Sequence, residues 1–212
     1  RGETSGNSIT LTNGVFTMNT MTVKAAALAV SVATTPSAQS IVAGGSITFA
    51  NYQFDASQSG EDVRFSTLPL KLTFAGSAVA NTLSACQLWD GSTALNTGSN
   101  VVNPASSVTT GSDVTFTLDQ QLVIAKGAVK TITLKCNVSS SAANGNSFNW
   151  GIQASPSIAV TGVTSSNDVT ETVSPSVGQV MTVAAGALVV STDTSSPSYA
   201  LAAAGSTGNT AG

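Results

Sequence analysis

Apolar side chains in this chain recur at every second residue, and that spacing restricts the fold more than any other feature. Leu68, Leu70, Leu72 and Phe74 alternate with Pro69, Lys71 and Thr73. Val114, Phe116 and Leu118 alternate with threonines, and Ile132, Leu134, Cys136 and Val138 with Thr131, Thr133, Lys135 and Asn137. Phe148, Trp150, Ile152 and Ala154 follow the same rule. A two-residue period sends alternate side chains to opposite faces of a pleated strand, whereas a helix would need a 3.6-residue stripe, which the sequence lacks. Each run therefore predicts an antiparallel strand with one face in a core. Pro69 has no N–H to give a ladder, which predicts a sheet edge or a bulge there. The inward set is odd at Ile47 and Phe49 and even by Tyr52 and Phe54, so a β-bulge is expected near Ala50 and Asn51.

Turn dipeptides separate the runs: Asn13-Gly14, Gly44-Gly45, Ser59-Gly60, Asp90-Gly91, Gly111-Ser112, Lys126-Gly127 and Asn144-Gly145. Many short strands at this spacing predict a β-sandwich. Residues 96–112 are polar and weakly patterned and read as a long loop, and residues 139–146 as a hairpin loop.

One stretch occurs twice. Met21-Thr22-Val23-Lys24-Ala25-Ala26-Ala27-Leu28-Ala29-Val30-Ser31 returns as Met181-Thr182-Val183-Ala184-Ala185-Gly186-Ala187-Leu188-Val189-Val190-Ser191, and 9 of the 14 positions from 21 to 34 are identical at an offset of 160. A fixed period marks a repeat array. It also favours an open sandwich over a closed barrel, because neighbouring repeats need free ends to join. The expected organisation is residues 1–26 as the end of a preceding module or an N-terminal strand segment, 27–186 as one β-sandwich module, and 187–212 as the start of a following repeat. Ala187, Leu188, Val189, Val190 and Ser191 would then form an assembly strand. It could pair with a neighbouring copy and produce head-to-tail self-association.

Composition removes several functions. There is no histidine, which excludes Ser-His-Asp and Cys-His nucleophiles and histidine-ligated metals. No Gly-x-Ser-x-Gly, Ser-x-x-Lys or phosphate-cradling glycine loop is present, and the expectation is a chain that is not an enzyme and takes no cofactor. Net charge is -3 without a basic run, so no nucleic-acid partner is expected. No apolar stretch reaches the roughly 18 residues of a membrane span. Arg1 does not open a signal-peptide pattern, so an export signal is expected to have been removed or to lie upstream. Only 8% of residues are charged, and Ser, Thr, Asn and Gly supply the polarity. That surface suits an extracellular or cell-surface setting.

Cys86 shares a strand face with Leu88, and Cys136 one with Leu134 and Ile132, so both point inward. Two inward cysteines in a secreted sandwich predict a disulfide. Spanning 50 positions, it would contribute roughly 4 kcal/mol in the chain-entropy treatment. Asp55, Glu61 and Asp62 form the one local acidic group; with Asn51, Ser57 and Ser59 nearby they could hold a hard cation, against the simpler reading of a solvated turn. Trp150 reads as core. Trp89 falls out of phase with Cys86 and Leu88 and could be exposed, the weak basis for carbohydrate binding. Lys71 and Lys135 face outward, which disfavours isopeptide links. Asn137-Val138-Ser139 is a glycosylation sequon.

Leu88-Trp89-Asp90-Gly91-Ser92-Thr93, then Val114-Thr115-Phe116, then the strand from Ile124-Ala125-Lys126-Gly127 through Thr131-Ile132-Thr133-Leu134-Lys135, resemble the order of strands and turns in tandem immunoglobulin-like modules of bacterial cell-surface and S-layer-like proteins. The resemblance covers residues 27–186. It implies an immunoglobulin-like antiparallel β-sandwich in an extracellular scaffold and carries no catalytic residue across. The expected function is a structural module of a secreted, repeat-containing or self-assembling surface protein, an S-layer or extracellular filament. An adhesion module that binds cell-surface glycans is the alternative.

Overall fold

The computed structural model describes residues 1, 3–10, 14, 18–185 and 190–191. The chain forms two packed sheets. The strands are β1 (Ala29–Val32), β2 (Gln39–Ile41), β3 (Ser46–Asp55), β4 (Val63–Ala75), β5 (Leu83–Asp90), β6 (Thr93–Ala94), β7 (Ser112–Ile124), β8 (Val129–Val138), β9 (Ser147–Gly151), β10 (Thr161–Gly162), β11 (Thr172–Ser174) and β12 (Met181–Val183). One sheet runs β11-β1-β3-β8-β5-β6. The other runs β10-β4-β9-β12-β2, with β7 also on β4. Among the described residues helix is limited to two single 3₁₀ turns, Ala80–Thr82 and Gly98–Asn100. The predicted all-β sandwich is the observed one.

Alternation places the core as expected. Leu68, Leu70, Leu72, Phe116, Leu118, Ile132, Leu134, Val138, Phe148 and Trp150 are buried between the sheets. Phe54 of β3 meets Phe65 of β4 across the two sheets at 5.0 Å in a tilted arrangement, and within the second sheet Phe116 meets Trp150 edge-on at 5.6 Å. The bulge in β3 falls between Thr48 and Ala50. Phe49 and Ala50 are consequently buried side by side before Tyr52 and Phe54 resume the alternation. Pro69 pairs with Thr115 of β7, and the opposite flank of β4 is open between Arg64, where β10 pairs, and Lys71, where β9 begins. A residue without an N–H is tolerated at such a local edge.

Two expectations need correction. Residues 139–146 do not close a hairpin, because β8 and β9 lie in different sheets; the segment carries the chain from one sheet to the other. Pairing is not wholly antiparallel either. β1 runs parallel to β11, and β12 parallel to β2. These pairs join segments far apart in sequence, which alternation cannot register.

The last strand among the described residues is internal. β12 lies between β9 and β2, with Met181 and Val183 at 0% and 2% exposure. Residues 161–183 thus supply β10, β11 and β12, and so complete both sheets. The described residues of 1–25, by contrast, are exposed and form no strand. Ala187, Leu188 and Val189 of the expected assembly strand lie outside the described residues, and Val190 and Ser191 are exposed and in no strand.

Candidate functional site

The cysteine pair is built by an irregularity in β5. Register slips between Ser84 and Gln87, and Ala85 takes a left-handed backbone at φ 48°. That turn rotates Cys86 into the core, where it is bonded to Cys136 of the adjacent strand β8. Both sulfurs are buried. The Ala85 N–H donates to Asn103 Oδ1 at 2.8 Å, and Cys86 exchanges backbone hydrogen bonds with Val102. A left-handed alanine is costly unless its surroundings hold it, and these bonds do.

Asn96 is the residue that alternation did not reveal. It is fully buried. Its Oδ1 accepts the Leu88 N–H at 2.7 Å, and its Nδ2 donates to the carbonyls of Cys86 and Asn100 at 3.2 and 2.9 Å. One side chain therefore satisfies the outer edge of β5 just where its partner β6 has ended. Asp119 ties down the following turn, accepting from the Thr97 N–H and hydroxyl and from Asn100 Nδ2. These bonds, the Thr97 hydroxyl first, hold the Asp119 carboxyl below its usual range. An asparagine in a polar loop has no sequence signature that separates this role from solvation.

The acidic group is occupied by protein donors. The Glu61 carboxylate accepts the N–H groups of Thr164 and Ser165 and the Ser165 hydroxyl. The Ser165 hydroxyl is the first cause of its lowered pKa, followed by the Ser165 N–H. Asp62 accepts the Lys126 N–H at 2.9 Å, and Asp55 accepts the Ser57 N–H at 2.7 Å. Gly60, Glu61, Asp62, Lys126, Thr164 and Ser165 line a shallow open depression at this end of the sandwich. A Cβ at Gly162 would lie 2.4 Å from Glu61 Oε1, so a side chain there would have to displace the carboxylate from these donors. The geometry is that of a clamp joining the 161–172 segment to the Ser59–Gly60 turn. Among the described residues no three Asp, Glu or Cys side chains are grouped so as to hold a metal ion.

Among the described residues the tryptophans and Tyr52 form no open aromatic face. Trp150 is buried, and Lys135 Nζ lies 4.9 Å from the centroid of the Trp89 ring. Tyr52 is also buried, and burial pushes its hydroxyl pKa well up; Tyr199 lies outside the described residues. Asn137 of the sequon is exposed on β8. Among the described residues no helix is long and apolar enough to cross a membrane.

No family model and no curated protein matches the chain. Three of the solved structures that align with it serve for comparison. They are the sixth cohesin of scaffoldin B from Acetivibrio cellulolyticus, solved with a Cel5 dockerin mutant (13% identity, TM-score 0.30, 74% of this chain and 99% of that one), and the seventh type I cohesin of ScaB from Pseudobacteroides cellulosolvens (12%, 0.31, 79% and 98%). The third is a membrane-anchored protein from Corynebacterium diphtheriae (11%, 0.30), of which the alignment spans 77% of this chain and 37% of that one. Likeness at this level assigns neither a family nor an activity.

Proposed function

We propose that the chain is a non-catalytic structural module of an extracellular cell-surface protein built from repeats of this sandwich. Its work is mechanical: to hold spacing and to cover surface. One observation carries the extracellular setting, the buried disulfide between β5 and β8. Disulfides of this kind persist in oxidising compartments and are rare in the cytosol. The weakly charged, Ser/Thr-rich composition supports the same setting. The 160-residue period supports the array. Carboxylates engaged by backbone donors and an indole covered by a lysine favour a scaffold over a binding pocket.

Protease shaving of intact source cells, followed by peptide mass mapping, tests the setting. Release of peptides from this chain before cell lysis is expected, and their appearance only after lysis would overturn it. Head-to-tail association through residues 187–212 is tested by deleting them. Light scattering is expected to show larger species for the full chain and a folded monomer for the truncated one. Assembly that survives the deletion would refute it.

A further inference from the structure

The 160-residue echo extends further than the Met-Thr-Val stretch. Gly2, Thr4, Ser5, Asn7, Thr10 and Thr12 match Gly162, Thr164, Ser165, Asn167, Thr170 and Thr172, and Ile9 stands for Val169. The local structure repeats with the sequence. Residues 3–5 form a turn, as do 163–165. Gly6 follows in the left-handed region at φ 63° and Ser166 at φ 56°. The Asn7 N–H donates to Ser5 Oγ at 3.4 Å, as the Asn167 N–H does to Ser165 Oγ at 3.2 Å. Yet the two copies have opposite surroundings. Val169, Met181 and Val183 are at most 7% exposed, whereas Ile9, Met21 and Val23 are 63%, 92% and 96% exposed.

We infer that residues 1–23 are the closing segment of a preceding module of the same fold, supplying to it what residues 161–183 supply here. The occupant follows from chain order. In this module the slot between β9 and β2 is already filled by β12, so the acceptor is a sandwich whose own sequence ends at the counterpart of Val160. In that acceptor the Thr4-Ser5 turn caps a carboxylate equivalent to Glu61, and Met21 and Val23 enter the core between the counterparts of β9 and β2. Residues 13–20 share no identity with 173–180, and Met18 stands at the register of Gly178, where a Cβ would lie 2.0 Å from the Trp150 carbonyl oxygen. The likeness is confined to the two matched blocks, which equal spacing keeps in register.

The same overlay defines the junction. At the end of this module the Ala184 N–H donates to the Ile41 carbonyl at 2.9 Å, and the Ala185 N–H to Asn144 Oδ1 at 3.3 Å. At its start the Gly60 N–H donates to the Ala25 carbonyl at 2.9 Å, and the Ala27 N–H to Ser59 Oγ at 3.1 Å. Lys24 packs so closely on Gly60 that a Cβ there would lie 2.1 Å from the Lys24 carbonyl oxygen. Lys24 and Ala25 occupy the repeat positions of Ala184 and Ala185. Among the described residues their N–H groups have no acceptor, which leaves them to the module behind, while the Ala25 carbonyl and the Ala27 N–H serve the module ahead. These demands do not conflict. Residues 24–27 are then the whole junction, anchored on both sides, and successive modules are held at a fixed angle.

The inference rests on the repeat in the proposed function but not on where the protein resides. The test fuses residues 24–160 to the N-terminus of the full chain, so that residues 1–23 follow them directly. A second fusion replaces residues 1–23 by 161–183, and a third by a scrambled 1–23. The second is expected to hold two folded modules, the third one. If the inference is right, the first matches the second: about twice the unfolding enthalpy of the unfused chain, no thiol reactive without denaturant, and an added unit that resists protease. Slow amide exchange at residues 24–27 accompanies it. A first fusion that behaves like the scrambled one, while the second folds, overturns the inference. Two folded modules with fast exchange across residues 24–27 would overturn the fixed junction. Neither result bears on the cell-surface location, which is read on cells.

Discussion

The identical tripeptides Met21-Thr22-Val23 and Met181-Thr182-Val183 permit a controlled comparison, because one substitution can be made in two environments of a single chain. Met181 is 0% exposed inside the sheet between β9 and β2, and Met21 is 92% exposed. Met181→Ala removes buried methylenes and the thioether and leaves a cavity, which costs about 2–5 kcal/mol depending on how far the site collapses. For a domain of this size each kcal/mol lowers the melting temperature by roughly 2–4 °C, so a fall of about 4–20 °C is expected. Met21→Ala deletes a side chain already in water, and its effect should stay within about 0.5 kcal/mol. Scanning calorimetry of the two variants beside the parent chain measures both. Equal falls, or no fall at Met181, would refute the assignment of β12 to the core. In a fusion that supplies a preceding module, Met21→Ala should become destabilising as well.

Three further outcomes follow from single sites. Replacing both Cys86 and Cys136 by alanine frees a 50-residue separation and should cost roughly 4 kcal/mol in the chain-entropy treatment; urea denaturation of the variant checks this. Asn96→Ala leaves the buried Leu88 N–H without its acceptor and removes one of two donors from the Cys86 carbonyl and should cost about 1–3 kcal/mol, with amide exchange at Leu88 accelerating first. Glu61 sets a pH dependence. Its pKa is lowered in the fold by the Ser165 hydroxyl and then the Ser165 N–H, so the unfolded chain takes up the proton first as pH falls. The contribution is therefore fully present above the ordinary carboxylate range and is lost as pH falls through that range to the folded value. Glu61→Gln should flatten the decline in melting temperature over that interval, and an unchanged slope would count against the clamp.

What the sequence by itself determined is local and periodic. Alternation at Leu68–Leu70–Leu72 and at Ile132–Leu134–Cys136 specified strands and their inward faces, because the pleat has a period of two whatever the strand is paired with. The break in phase between Phe49 and Tyr52 placed a bulge within a residue of its position. The inward phase of Cys86 and Cys136 brought out a disulfide that the structure contains. Tertiary structure alone decided the partners. Nothing local distinguishes Met21 from Met181, since burial depends on which strands flank a segment and not on the segment. The parallel pairs β1–β11 and β12–β2 join residues more than a hundred positions apart. The sheet change at residues 139–146 depends on which sheet has room for β9. Glu61 acquired its role in the same way, since the Thr164 and Ser165 donors exist for it only after distant backbone has been brought beside it; the partners of Asn96 lie within ten residues, and there it is the fold of the loop after β6 that turns the side chain inward.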